Sequence, residues 1–182
     1  TLGPGDAAER DRPRLHLPPG GLRSLRELVS IWGSDRLIDD AFEPVEYEVD
    51  DRLQIGPIPV RLSRVPHFTL THAVELTAGS GARAVYGSDC RAGPEIERFA
   101  AGADLLLAEA TLPETEPDSV PVSERGHMSA TEAGAVAAAA GVERLVLTHI
   151  SDQVDPANAV ASARREFAGE LEVAAEGSSW EL

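Results

Sequence analysis

Three stretches of this chain share one form: an apolar run that leads at once to a side chain able to hold a metal. Leu62-Ser63-Arg64-Val65-Pro66 leads to His67, Ala84-Val85-Tyr86-Gly87-Ser88 to Asp89, and Leu145-Val146-Leu147-Thr148 to His149. Side chains at strand ends stand at the rim of a sheet on a rigid base, where they can converge as a metal site requires. Imidazole nitrogen and carboxylate oxygen are the usual ligands of hydrolytic zinc and manganese. Each residue alone also fits a plainer role. A histidine can be a surface or hydrogen-bonded core residue, and an aspartate after a strand can form a turn or cap a helix. His127 differs from the other three because it follows a proline-containing loop and immediately precedes a capped helix.

The elements that must position these residues can be read from periodicity and punctuation. Leu15 to Leu17 reads as a short strand stopped by Pro18-Pro19-Gly20-Gly21. Leu22, Leu25, Leu28, Val29 and Trp32 recur at helical spacing, with Gly33 as the closing glycine. A second short helix covers Asp35 to Phe42. From Pro44 the pattern turns strand-like: Val45, Tyr47 and Val49 alternate with acids, and Ile55, Ile58, Val60 and Leu62 follow beside Pro57 and Pro59. Thr69 to Leu76, a turn through Gly79-Ser80-Gly81, and Ala84 to Tyr86 complete a β-meander.

After Asp89 the texture is α/β. It predicts a helix from Pro94 to Ala101, a buried strand from Asp104 to Ala108 and an Ala-rich helix opened by a Ser129/Glu132 capping box and closed near Gly141. A strand from Arg144 to Thr148 follows, then a helix that begins at Asp155-Pro156 and runs to about Phe167. Strands at Leu171 to Ala174 and Ser179 to Leu182 finish the chain. Thr1 to Pro13 reads as a loop, as does Pro113 to Arg125 with its three prolines.

Four segments in order resemble one family. Tyr86-Gly87-Ser88-Asp89-Cys90 is similar to "Y-S-G-D-T", and Ala103 to Thr111 to "A-D-L-L-I-x-E-A-T". Gly126 to Ala133 matches "G-H-x-T-x-x-E-A", and Leu145 to Ile150 matches "L-x-L-T-H-I". These belong to the ribonuclease Z and cyclic-nucleotide phosphodiesterase branch of the metallo-β-lactamase superfamily. The spacing agrees as well: 22 residues from His67 to Asp89, 38 on to His127 and 22 more to His149. The resemblance covers Leu15 to Leu182 and implies an α/β fold of the αββα sandwich kind, with 1–182 as one domain lacking its N-terminal strands.

The resemblance also implies roles. Asp89 would bridge two divalent metals, zinc or manganese, with His67 completing one coordination sphere and His149 the other. His127 would lie near the scissile phosphate, stabilising charge or protonating the leaving oxygen. Glu109 would either orient His127 or simply cap its strand. His72, where relatives carry Tyr, would line the substrate pocket or be an ordinary meander histidine. The reaction would be hydrolysis of a phosphodiester by a hydroxide bridging the metals.

Departures from the pattern are as informative. The family's "H-x-H-x-D-H" motif is absent, so the chain would need a further N-terminal segment to complete its metal site. Ser88 and Cys90 stand where the family has Gly and Thr, and Cys90 reads as a small buried thiol. Only a tight hairpin separates His67 from Asp89, where ribonuclease Z commonly carries a long tRNA-binding arm.

Composition narrows the partners. The 182 residues carry a formal charge of -15, which disfavours nucleic acid but not an anion held by bound dications. No apolar run is long enough to span a membrane, no leader is visible, and the lone Cys90 suits a reducing cytoplasm. A small phosphodiester or cyclic nucleotide is therefore the first-ranked substrate, with a homodimer allowed. A tRNA 3′-processing nuclease comes second, and a non-catalytic half-domain serving as a binding module is the reading from a different class.

Overall fold

The computed structural model describes residues 12–48, 52–114 and 121–182. The chain divides into two compact units, Thr1–Glu48 and Val49–Leu182. In the first, β1 (Arg14–Leu17) pairs in parallel with β2 (Glu43–Glu46). The crossover between them carries helices α1 (Gly21–Ser30) and α2 (Leu37–Ala41). A bidentate pair from Arg26 to Asp39 ties α1 to α2.

The second unit is a seven-stranded sheet in sequence order: β3 (Arg52–Ile55), β4 (Ile58–Val65), β5 (Thr71–Thr77), β6 (Arg83–Tyr86), β7 (Leu105–Glu109), β8 (Arg144–Thr148) and β9 (Glu170–Val173). Strands β3 to β6 form an antiparallel meander, and β6 to β9 are parallel; the segment at Val45, expected as the meander's first strand, instead pairs in parallel with β1 in the two-stranded sheet. The parallel half needs crossovers, supplied by α3 (Pro94–Ala100), α4 (Ala130–Ala140) and α5 (Pro156–Glu166). Val85, Leu106 and Leu145 lie in register across β6, β7 and β8. All three are fully buried in one core with Ile96 of α3, Val136 of α4 and Ala163 of α5, so the helices cover that face of the sheet.

Local signals explain most boundaries. Ser129 Oγ accepts the Glu132 backbone N–H while Glu132 accepts that of Ser129, and Gly141 closes α4 at φ 65°. Asp155 Oδ1 accepts from Ala157 N–H at 2.8 Å, and Pro156 opens α5. The expected strand at Ser179 to Leu182 does not form. That segment is irregular, and Trp180 Nε1 donates instead to the Glu172 carboxylate on β9. The expected N-terminal loop, and the middle of the Pro113 to Arg125 loop, fall largely outside the described residues.

Two packing features stand out. Glu75 on β5 is almost fully buried and takes hydrogen bonds from Arg61 of β4 and Arg83 of β6. Burial by itself would raise its carboxyl pKa, but the two guanidiniums outweigh burial and hold it below the ordinary range. In α4, Gly134 is a packing requirement: a Cβ there would sit 2.5 Å from the Ala163 carbonyl oxygen and 3.0 Å from its Cα on α5. Backbone cannot swing aside as a side chain can. Gly134→Ala gains helix propensity of about 1 kcal/mol but overpacks the α4–α5 contact. The expected net result is a loss of about 2 kcal/mol in urea-unfolding stability; an alanine variant more stable than the parent would contradict this packing.

Candidate metal centre and active site

Strand direction accounts for the site. Both β4 and β6 run antiparallel to β5, while β7 and β8 run parallel to β6. The C-terminal ends of β4, β6, β7 and β8 therefore share one rim of the sheet. His67, Asp89, Glu109 and His149 stand at or just past those ends. His127 reaches the same rim from the turn before α4.

The side chains converge there. His149 Nδ1 lies 3.1 Å from Asp89 Oδ1. The ring centroids of His127 and His149 are 5.8 Å apart, and those of His67 and His127 are 4.8 Å apart. Asp89, His127 and His149 each offer a ligand atom, and these atoms all lie within 4.8 Å of one another. His67 is brought to the cluster through the edge of the His127 ring and is not part of that innermost group.

Hydrogen bonds fix which imidazole nitrogen is available. His67 Nδ1 is 2.8 Å from the Gly126 carbonyl oxygen. A carbonyl only accepts, so Nδ1 carries the proton and Nε2 keeps its lone pair. His127 Nδ1 sits 3.0 and 3.1 Å from the two oxygens of Glu109, and the same reasoning applies. An imidazole whose far nitrogen donates to a carbonyl or carboxylate is the usual form of a metal-ligating or proton-transferring histidine. The donor set, nitrogen and carboxylate oxygen on a rigid rim, suits a zinc or manganese ion.

Glu109 closes β7 beside the cluster. It is 1% exposed and also accepts the Cys90 backbone N–H at 2.6 Å and that of Met128 at 3.4 Å. One buried carboxylate thus joins the loop bearing Asp89 to the turn bearing His127 and orients the His127 ring. Cys90 is fully buried beside it, and burial pushes its thiol up to about 12, so it is the inert thiol its context suggests. His72 is buried within β5, and its tie to the site runs through its backbone: its carbonyl accepts the Ser88 hydroxyl at 2.7 Å.

Ser88 and His149 are the described non-glycine residues with positive φ, at 57° and 49°. Ser88 adjoins the cluster and His149 belongs to it, a place where backbone strain tends to gather. The position of Ser88 is one where the resembling family has glycine, and its left-handed backbone supplies the reason. The hydroxyl bond to His72 offsets the strain. Ser88→Ala keeps the strain and loses the bond, so a destabilisation of about 1 kcal/mol is expected. Ser88→Gly loses the bond but relieves about as much strain, leaving stability within about 0.5 kcal/mol of the parent. Urea unfolding of both variants checks this; an alanine variant as stable as the parent would show that the hydroxyl bond contributes nothing.

Three supporting residues carried no assigned role in the sequence reading. Thr111 Oγ1 donates to the His149 carbonyl at 3.0 Å and lies 3.1 Å from its Nδ1, which secures the strained residue. Arg125 is buried and paired with Glu132 at 2.8 Å, which clamps the His127 turn to α4. Phe68 packs its ring 5.2 Å from that of His67. Thr111 lay within a matched motif, whereas Arg125 and Phe68 gave no signal beyond their neighbours.

A family model described as "Beta-lactamase superfamily domain" matches residues 8–150. The chain belongs to the β-lactamase superfamily. Among relatives of this superfamily member, the probable metallo-hydrolase YhfI of Bacillus subtilis (strain 168) is 30% identical over 75% of this chain and 54% of its own length. The ribonuclease Z of Myxococcus xanthus (strain DK1622) is 40% identical over 56% of this chain and 33% of its own. The crystal structure of YhfI, described as a metallo-β-lactamase fold protein, aligns with a TM-score of 0.77 at 24% identity, covering 92% of this chain and 64% of that one. A diphosphatase from the PhnP family aligns at 0.69 and 16% identity, covering 95% and 60%. The superfamily member described here thus spans between a third and about half the length of these curated relatives.

Proposed function

We propose that the full-length protein is a metal-dependent hydrolase that cleaves small phosphodiesters, cyclic nucleotides among them. The observation that carries this reading is the cluster of Asp89, His127 and His149 ligand atoms within 4.8 Å of one another on the sheet rim. Asp89, His149 and His67 would hold the metals, with further donors from outside the described residues. Bound dications would supply Lewis acidity and make water a nucleophile at neutral pH. His127 Nε2 would face the substrate, where a protonated ring can donate to the leaving oxygen. Glu109, fixed by Cys90 and Met128, would hold that ring in place.

Small substrates are favoured by the chain between His67 and Asp89. β5 and β6 are joined by a tight turn closed by hydrogen bonds between Ala78 and Ala82 and between Gly81 and Ala78, with no arm to grip a large partner. The charge of -15 adds to this, because affinity for nucleic acid comes largely from basic residues neutralising phosphates. The location proposed is the cytoplasm. No helix among the described residues is long and apolar enough to cross a membrane.

The test is turnover of bis-p-nitrophenyl phosphate by the full-length protein before and after chelation and on re-addition of zinc or manganese. Hydrolysis that vanishes with the metal and returns with it is expected. A full-length protein that binds no metal and turns over nothing would point instead to a non-catalytic binding module. The 40% identity to a ribonuclease Z supports a second reading, a tRNA 3′-processing nuclease. Tight tRNA binding with a steep salt dependence would favour that reading over the small-substrate one.

A further inference from the structure

We propose that Phe68 is a stacking platform for the base of a nucleotide whose phosphate lies at the His67–His127 cluster, an inference that rests on the phosphodiesterase reading. Phe68 follows His67 directly and is 70% exposed. Isolated exposed apolar side chains are common and by themselves mean little. Here the position decides. The Phe68 ring centroid is 5.2 Å from that of His67 and 5.8 Å from that of His127, so an uncharged aromatic surface lies one ring away from both imidazoles.

The ring is also seated. A Cβ on Gly126 would lie 2.5 to 2.8 Å from three of its carbons, so the ring rests on bare backbone that no side chain could share. Gly126 is the residue whose carbonyl takes the His67 Nδ1 proton, and it immediately precedes His127. One glycine therefore sets the place of the aromatic ring and the orientation of a histidine beside it.

Placing such a ring in water forfeits the gain of burying it, in a chain with only 4% aromatic residues. What it offers in return is a flat face within reach of a phosphate centre. Every nucleobase has a complementary π-face, and stacking on an aromatic side chain needs no hydrogen-bond readout. The ligand class that matches an anion centre beside an aromatic platform is a nucleotide, with any base accepted.

The experiment compares binding of adenosine 5′-monophosphate and ribose 5-phosphate to the full-length protein by titration calorimetry. The two share phosphate and sugar and differ in the base. Wild-type protein is expected to prefer the base-bearing ligand by about tenfold. Phe68→Ala should abolish the preference, and Phe68→Trp should keep it. Thermal unfolding midpoints close to the parent's would show that the variants are folded. A wild-type protein without preference, or a Phe68→Ala protein that keeps it, overturns the proposal. Hydrolysis of bis-p-nitrophenyl phosphate is measured separately. If no variant turns it over, the phosphodiesterase reading fails, while the binding ratio still decides the role of Phe68.

Discussion

His149→Ala is expected to remove bound metal and activity together. His149 sits at the end of β8 with its Nδ1 3.1 Å from Asp89 Oδ1, and Thr111 secures its strained backbone at φ 49°. If Asp89 and His149 hold a metal together, losing His149 should leave Asp89 without a stable partner set. Elemental analysis should show metal reduced from the parent level to near background, with turnover falling in parallel. Because His149 is about half exposed and the alanine relieves a left-handed imidazole of its contacts without opening the core, the fold should survive. Full metal and full activity in this variant would remove His149 from the site.

His127→Ala is expected to behave differently, lowering kcat by roughly 10²–10⁴-fold while metal stays bound. The structure sharpens this expectation and also supplies its rival. His127 donates Nδ1–H to Glu109 and so presents Nε2 to the rim, which suits proton transfer to a leaving oxygen. Its ligand atom also lies within 4.8 Å of those of Asp89 and His149, close enough to share a cation. Metal content separates the two. Retained metal with low kcat assigns His127 to the substrate, whereas lost metal makes it a ligand. Near-normal kcat with full metal would leave it as packing beside α4. Glu109→Gln should follow His127→Ala in direction with a smaller loss, because it weakens the hold on the ring without removing it.

The strands and helices of the second unit were legible because their signals are local. Alternation in Ile58 to Leu62, the Ser129 capping box and the Asp155-Pro156 start each specify a boundary without reference to distant residues. The strand expected at Ser179 to Leu182 was not, since Trp180 finds Glu172 and the segment forms no ladder. Within the site, motif order identified which residues meet. It could not show that Glu109 caps Cys90 and Met128 while it holds His127, because a carboxylate at a strand end looks the same in either role. Nor could it reveal Arg125 or Phe68. Their importance comes from contacts with Glu132 and Gly126 that only the folded chain creates. The left-handed backbone at Ser88 was not legible either: serine in place of glycine reads as a conservative change until the φ of 57° is known.

The central claim is that a divalent metal sits on the rim formed by the ends of β4, β6 and β8. The most direct measurement is anomalous diffraction at the zinc edge from crystals of the full-length protein grown with zinc. A peak about 2 Å from both an Asp89 carboxylate oxygen and a His149 imidazole nitrogen, with a second metal within reach of His67 Nε2, is the result this arrangement predicts. Zinc bound only elsewhere, or no peak at Asp89 in protein that hydrolyses phosphodiesters, would contradict it.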